Sequence, residues 1–301
     1  MPPLREAAAR PEAARGLVLI LVSTVAYGTM PILAKAAYRH GVETGPLLFW
    51  RFLLAALLFA LLARGKTLPM RKRLVLWALG GVFIVNAITY FKALETVPAT
   101  TVSLVVYTYP VIVMLESAVL GLEHLTVRGL LCAVLAFSGC ALTAGAAFDG
   151  GPGIYYALTC AVVYATYIVL SSRFARDVPA ETAALHLAQA AALGLGALGA
   201  ARGGLALPSS PVAWVLVVAI AIVCTVVAMY AFLGGLARVG PGRASVVSSL
   251  EVVVTLVLAY VFLGERLGLR QWAGAVLILG AVVLQNLGRR FSVERRPAAE
   301  L

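Results

Sequence analysis

Glu251 stands in an otherwise apolar run, Ser248-Ser249-Leu250-Glu251-Val252-Val253-Val254-Thr255. A carboxylate at such a depth can hold a substrate ammonium or cation, or carry a proton. It can also be a packing group satisfied by neighbouring hydroxyls or an arginine. At about 100° per residue, Ser248, Glu251 and Thr255 share one helix face, with Ser245 at its edge, and that face should turn towards a wet interior. Other groups able to line a cavity also lie in apolar segments: Tyr27 and the apolar Met30, Asn86, Thr89 and Tyr90, Tyr107 and Tyr109, and Tyr164 and Tyr167. Tyrosines in membrane helices usually mark the interfaces, but Tyr27, Tyr107 and Tyr164 fall in mid-segment. Pro31 and Pro110 should kink the segments that carry Tyr27 and Tyr109, and Pro31 frees the carbonyl of Tyr27. The candidate substrate-binding set is Tyr27, Met30, Asn86, Tyr90, Tyr107, Tyr109, Tyr164, Tyr167, Ser248 and Glu251. An aromatic cavity with few fixed charges suits neutral amphipathic solutes. Phosphorylated sugars would instead need converging Arg or Lys near midplane.

The remaining ionisable residues invite plainer readings. Glu116 lies near the end of its segment, where an interfacial place outweighs direct substrate contact. Arg51 follows Trp50 near the end of another, where a long stem can snorkel to the interface, a structural role that outweighs binding a substrate carboxylate. Lys35 and Lys92 are placed similarly. Cys132, Cys140, Cys160 and Cys224 show no CxxC pair and read as small apolar packing residues. His40, His124 and His186 have no metal-site spacing. No nucleophile elbow, HExxH or phosphate-binding loop occurs, so catalysis, a bound metal and a cofactor are not expected.

These residues must be positioned by membrane helices. The chain of 301 residues is 62% hydrophobic and 12% charged, with mean hydropathy +0.97; soluble domains carry about 25% charged residues. Apolar runs near the length a bilayer core requires, about 20 residues, recur at 15–38, 45–63, 74–94, 99–121, 127–146, 152–172, 180–201, 210–236, 242–263 and 269–288. The fold class is therefore all-α integral membrane, with ten transmembrane helices. The first run lacks a small-residue cleavage site and is kept as a helix. The net charge of +11 follows topology rather than nucleic-acid binding. With the N-terminus in the cytoplasm, 17 Lys and Arg fall inside and six outside, leaving Arg51 within a span. That asymmetry places both termini of a multi-pass protein in the cytoplasm.

Two stretches repeat. VLGLEHLTVRG around Glu123 echoes VFLGERLGLRQ around Glu265, 142 positions later. At the same offset Leu94 matches Leu236, Ser103 matches Ser245 and Arg128 matches Arg270, while Tyr27 matches Tyr164 at an offset of 137. The chain reads as a tail at 1–14, a five-helix repeat at 15–146, a second at 147–290 and a tail at 291–301. An odd helix number per copy inverts the second copy. Such repeats hold substrate between them and permit alternating access. Glu123 and Glu265 then lie on opposite faces, where capping the following helix or tying the hairpin explains them.

The tandem five-helix halves, and the helix ending Leu263-Gly264-Glu265-Arg266, resemble the drug/metabolite transporter superfamily in its duplicated EamA-type branch. The first copy departs slightly, with Gly121-Leu122-Glu123-His124. The resemblance implies export of amino acids or similar small metabolites, and within the branch the chain is most similar to aromatic amino-acid exporters. It also implies that helices five and ten are peripheral. The first helix has no acidic residue, unlike the superfamily's small multidrug pumps. The expected partners are a small-molecule substrate and the lipid bilayer, with proton coupling left open between Glu251 and Glu116. Efflux of lipophilic cations is the alternative. A polytopic enzyme or lipid-handling scaffold is the alternative from another class.

Overall fold

In a computed structural model, the described residues are 3–63, 68–121, 125–144, 152–174, 178–201, 205–232, 234–235, 238, 247–248 and 250–293. Among them the regular structure is helical throughout. The order is α1 (Pro3–Gly28), α2 (Met30–Arg39), α3 (Thr44–Leu62), α4 (Met70–Thr96), α5 (Ala99–Val106), α6 (Tyr109–Val119), α7 (Val127–Ala144), α8 (Gly153–Phe174), α9 (Ala180–Ala201), α10 (Pro211–Ala221), α11 (Leu250–Leu258) and α12 (Leu269–Val293). Among the described residues, seven continuous helical stretches are long and apolar enough to cross a membrane, and Val127–Thr143, Leu250–Leu263 and Leu269–Leu284 are shorter apolar helices. Glu123, His124 and Ser245 lie outside the described residues.

The helix breaks follow local chemistry. Pro31 and Pro110 stand in the first turns of α2 and α6, where a missing N–H is harmless. They divide two spans in the middle, at Thr29 and at Tyr107-Thr108. Ser210 caps α10 by accepting from the Ala213 amide at 3.2 Å. Gly264, with φ 69°, turns the chain out of its helix into a left-handed conformation that only glycine adopts cheaply. Two spans widen into π turns, at Ile222–Val227 after α10 and at Ala259–Leu263 after α11. In the first, the Thr225 hydroxyl donates to the Ile220 carbonyl at 3.2 Å. Such π turns often mark functional positions, since they re-aim side chains.

Helices approach closely where side chains are small. A Cβ on Gly139 would lie 2.7 Å from the Gly274 carbonyl oxygen, so α7 and α12 cross backbone to backbone. Gly28 meets Val254 of α11 in the same way, and Gly80 meets Ala190 of α9. Gly235 packs on Gly16 and Ile20. The principal core gathers α2, α3, α4, α5, α8, α9 and α10 around Leu47, Phe52, Phe91, Leu94, Ile154 and Ile220. Outward the molecule stays apolar: Val18, Leu21, Leu61, Leu131, Val257, Val261 and Phe262 are all exposed. A surface of that kind is satisfied by lipid rather than water, with backbone groups paired inside the helices.

Candidate functional site

The two broken helices bring the predicted tyrosines together. Tyr27 ends α1 one residue before its glycine, and Tyr107 and Tyr109 flank the gap before α6. Tyr164 and Tyr167 stand one turn apart on α8. Tyr109 and Tyr164 meet edge to face with centroids 4.7 Å apart, and Tyr107 meets Tyr109 at 5.7 Å. Tyr167 stacks on Tyr164 at 6.2 Å and reaches Phe83 of α4 at 5.1 Å. Glu251 of α11 lies within electrostatic reach of Tyr27, Tyr90, Tyr107, Tyr109 and Tyr164. Tyr27, Tyr90, Tyr109, Tyr164, Tyr167 and Glu251 are all half-buried. An aromatic wall with a single carboxylate among the described residues near it is what the geometry assembles there.

The other predicted residues are placed less centrally. Ser248 contributes its backbone carbonyl, which accepts from the Tyr107 hydroxyl at 2.9 Å and ties α5 to the segment before α11. Asn86 accepts a long bond from the Cys160 thiol at 3.2 Å, between α4 and α8. Met30 packs on the principal core beside the α1–α2 break. Thr255, expected on the wet face with Glu251, is instead buried, and its hydroxyl donates to the Gly28 carbonyl at 3.1 Å. The reason is the close crossing of α1 on α11 at Gly28, which leaves that hydroxyl no cavity to face. Glu116 accepts from the Thr166 hydroxyl at 2.9 Å, joining α6 to α8.

Arg51 overturns its interfacial reading. It is 5% exposed and does not snorkel. Its Nε donates to the Thr225 hydroxyl at 2.8 Å, and its guanidinium sits 5.0 Å from the Phe52 ring centroid and 5.4 Å from that of Phe91. The π turn at Ile222–Val227 delivers Thr225 and Cys224 to this spot. Tyr27, Arg51, Phe83, Cys224 and Thr225 line a small cavity with about 30 Å³ of free space, room for one or two waters. Tyr27 is thus shared: it lies within electrostatic reach of both Glu251 and Arg51. Sequence reasoning ranked this arginine below the candidate set because depth along a helix was read as nearness to the interface. The signal available was Trp50-Arg51 within a span whose next residues are all apolar.

Glu265 also departs from expectation. Its two carboxylate oxygens accept from the backbone amides of Ala99, at 2.8 Å, and Thr100, at 2.9 Å. It caps the first turn of α5, in the other half of the chain, rather than the helix that follows it. Gln271 supports the same junction by donating to the Thr101 hydroxyl at 3.1 Å while accepting from the Gly268 amide. Free amides and the dipole at a helix start favour such a carboxylate. At the same end, Lys92 pairs with Glu95 at 2.9 Å, and Thr44 donates to Glu95 at 2.7 Å.

Comparison with known proteins places this architecture. The model of the EamA-like transporter family matches the chain twice, over residues 14–145 and 151–287. The chain is 29% identical to an uncharacterized transporter, YcbK, of Bacillus subtilis, over 87% of this chain and 90% of that one. It is 33% identical to the aromatic amino acid exporter YddG of Ancylobacter novellus, over 79% of this chain and 89% of the relative. An inner membrane transporter of Escherichia coli, YedA, is 28% identical over 83% and 85%. A solved crystal structure superposes with a TM-score of 0.65 at 25% identity, covering 92% of this chain and 99% of the other.

Proposed function

The chain belongs to the EamA-like transporter family, and from that premise we propose that it exports neutral amino acids, aromatic ones included, or similar small metabolites. Ten helices cross the bacterial inner membrane, as two inverted five-helix halves at 15–146 and 147–290, with both termini in the cytoplasm. Substrate binds between the halves against Tyr27, Tyr90, Tyr107, Tyr109, Tyr164 and Tyr167, with Glu251 taking its ammonium and Met30, Asn86 and Ser248 completing the surroundings. Access alternates as the halves rock about this fixed site. The observation that carries the reading is the half-buried tyrosine cluster gathered around one carboxylate. Aromatic faces receive an apolar or aromatic side chain by stacking, and Tyr hydroxyls satisfy polar edges. The name of the Ancylobacter relative supports the same substrate class.

The same carboxylate within aromatic walls favours a second reading, efflux of lipophilic cations, since rings and an acid together attract a cation. Uptake of radiolabelled tryptophan, radiolabelled threonine and a cationic dye into liposomes carrying the purified protein separates the two. Saturable amino-acid flux is expected, and dye flux without it would replace the first reading by the second. Collapsing the pH gradient tests coupling: unchanged flux would exclude an obligatory proton partner.

A further inference from the structure

We propose that Arg51 is the carboxylate-binding subsite of the transport cavity, so that the ligand is held as a zwitterion between Arg51 and Glu251 with Tyr27 between them. The inference deepens the amino-acid reading and rests on it for the identity of the natural ligand. Arginine stays protonated in any protein surroundings, and a buried charge needs a partner. Among the described residues no carboxylate forms an ion pair with Arg51. The titratable groups near enough to feel its charge are Cys224, Tyr27 and Tyr90, none of them acidic in the carboxylate range. Thr225 occupies Nε only. The Phe52 and Phe91 rings offer their faces, which attract a cation without neutralising it.

The arrangement therefore fixes the fork of the guanidinium while leaving its charge unmatched beside free space. Thr225 orients the group through Nε, so the η nitrogens remain the ones suited to grip a carboxylate side by side. The small cavity lined by Arg51, Tyr27 and Thr225 supplies the space. A lone structural arginine would be expected to carry a buried acid with it or to reach the interface. Arg51 does neither.

The test uses the full-length protein in detergent and three probes sharing one ring: phenylalanine, 3-phenylpropionate and 2-phenylethylamine. Binding is followed by the ligand-dependent rise in unfolding temperature. In Arg51→Met, affinity for phenylalanine and phenylpropionate should fall about tenfold or more, with phenylethylamine unchanged. Equal loss for all three probes would mark Arg51 as structural and overturn the proposal, as would unchanged carboxylate affinity or no carboxylate binding by the wild type. If Arg51→Met does not fold, Arg51→Lys decides. It keeps the charge without the planar fork, so a partial loss confined to the two carboxylates is expected. No loss, or a loss shared by the amine, would overturn the proposal. A wild type that binds phenylpropionate through Arg51 yet carries no amino acid in liposomes would overturn the export reading and leave this subsite standing.

Discussion

At the residue scale, the site depends on how few charges are near it. A charge at the bilayer midplane costs about 2.5–3.5 kcal/mol on insertion scales, so one that persists there has a use or a partner. Replacing Glu251 by Gln keeps shape and removes the anion. Amino-acid flux in liposomes should fall about tenfold or more, consistent with one lost charge-assisted contact, while the yield of folded protein stays unchanged. Tyr27→Phe tests a finer point. The ring remains, so apolar packing persists, while the hydroxyl between Glu251 and Arg51 is lost; KM should rise several-fold with Vmax nearly unchanged. Tyr27, Tyr164 and Glu251 were legible in the sequence because polar groups in apolar runs are conspicuous. Arg51 was not, since the path of its side chain depends on Thr225, which lies 174 positions away. Thr255 was misjudged for a related reason: a helical wheel assigns a face, but the neighbour that occupies it belongs to a distant segment.

At the scale of elements, the glycine crossings and the π turns do different work. Gly139 and Gly274 let α7 and α12 pack against each other's backbone. Gly139→Leu cannot be accommodated without separating the pair, and overpacking costs about 1–3 kcal/mol. A lower unfolding temperature with unaltered order of substrate preference is expected, as thermal melts and competition assays would record. The crossing of Gly28 on Val254 lies nearer the tyrosines. Gly28→Leu should therefore lower both stability and flux, and separation of those two effects would show that the crossing does not position Glu251. The breaks in the first and fourth spans were legible in the sequence, because proline removes a backbone donor wherever it stands. The π turns were not, because inserting a wider turn changes hydrogen-bond register without a characteristic residue type.

At the scale of the whole molecule, the duplication was the plainest message of the sequence, and the family model recovers it at residues 14–145 and 151–287. What the repeated glutamate does was not legible, because its partners stand 166 and 165 positions away in the opposite half. A carboxylate bonded to backbone amides contributes about 1.5–3 kcal/mol per charged hydrogen bond. Opening that end of the bundle must break two of them. In Glu265→Ala, a cysteine placed at Thr101, which is buried at this junction, should react about tenfold faster with a membrane-impermeant maleimide. Equal rates in the presence and absence of Glu265 would show that the contact does not hold the end closed. The clamp also bears on the symmetry of the transport cycle. At the offset of the repeat, Ala99 and Thr100 correspond to Pro241 and Gly242. Proline has no amide hydrogen, so a mirror-image clamp built from Glu123 would have one donor instead of two. The sequence thus offers the two repeated glutamates unequal sets of backbone donors. Under the proposed alternating access, the two bonds at the Glu265 end would hold an empty carrier closed there, its cavity waiting on the opposite side, so that loading from that side would be the default direction of travel.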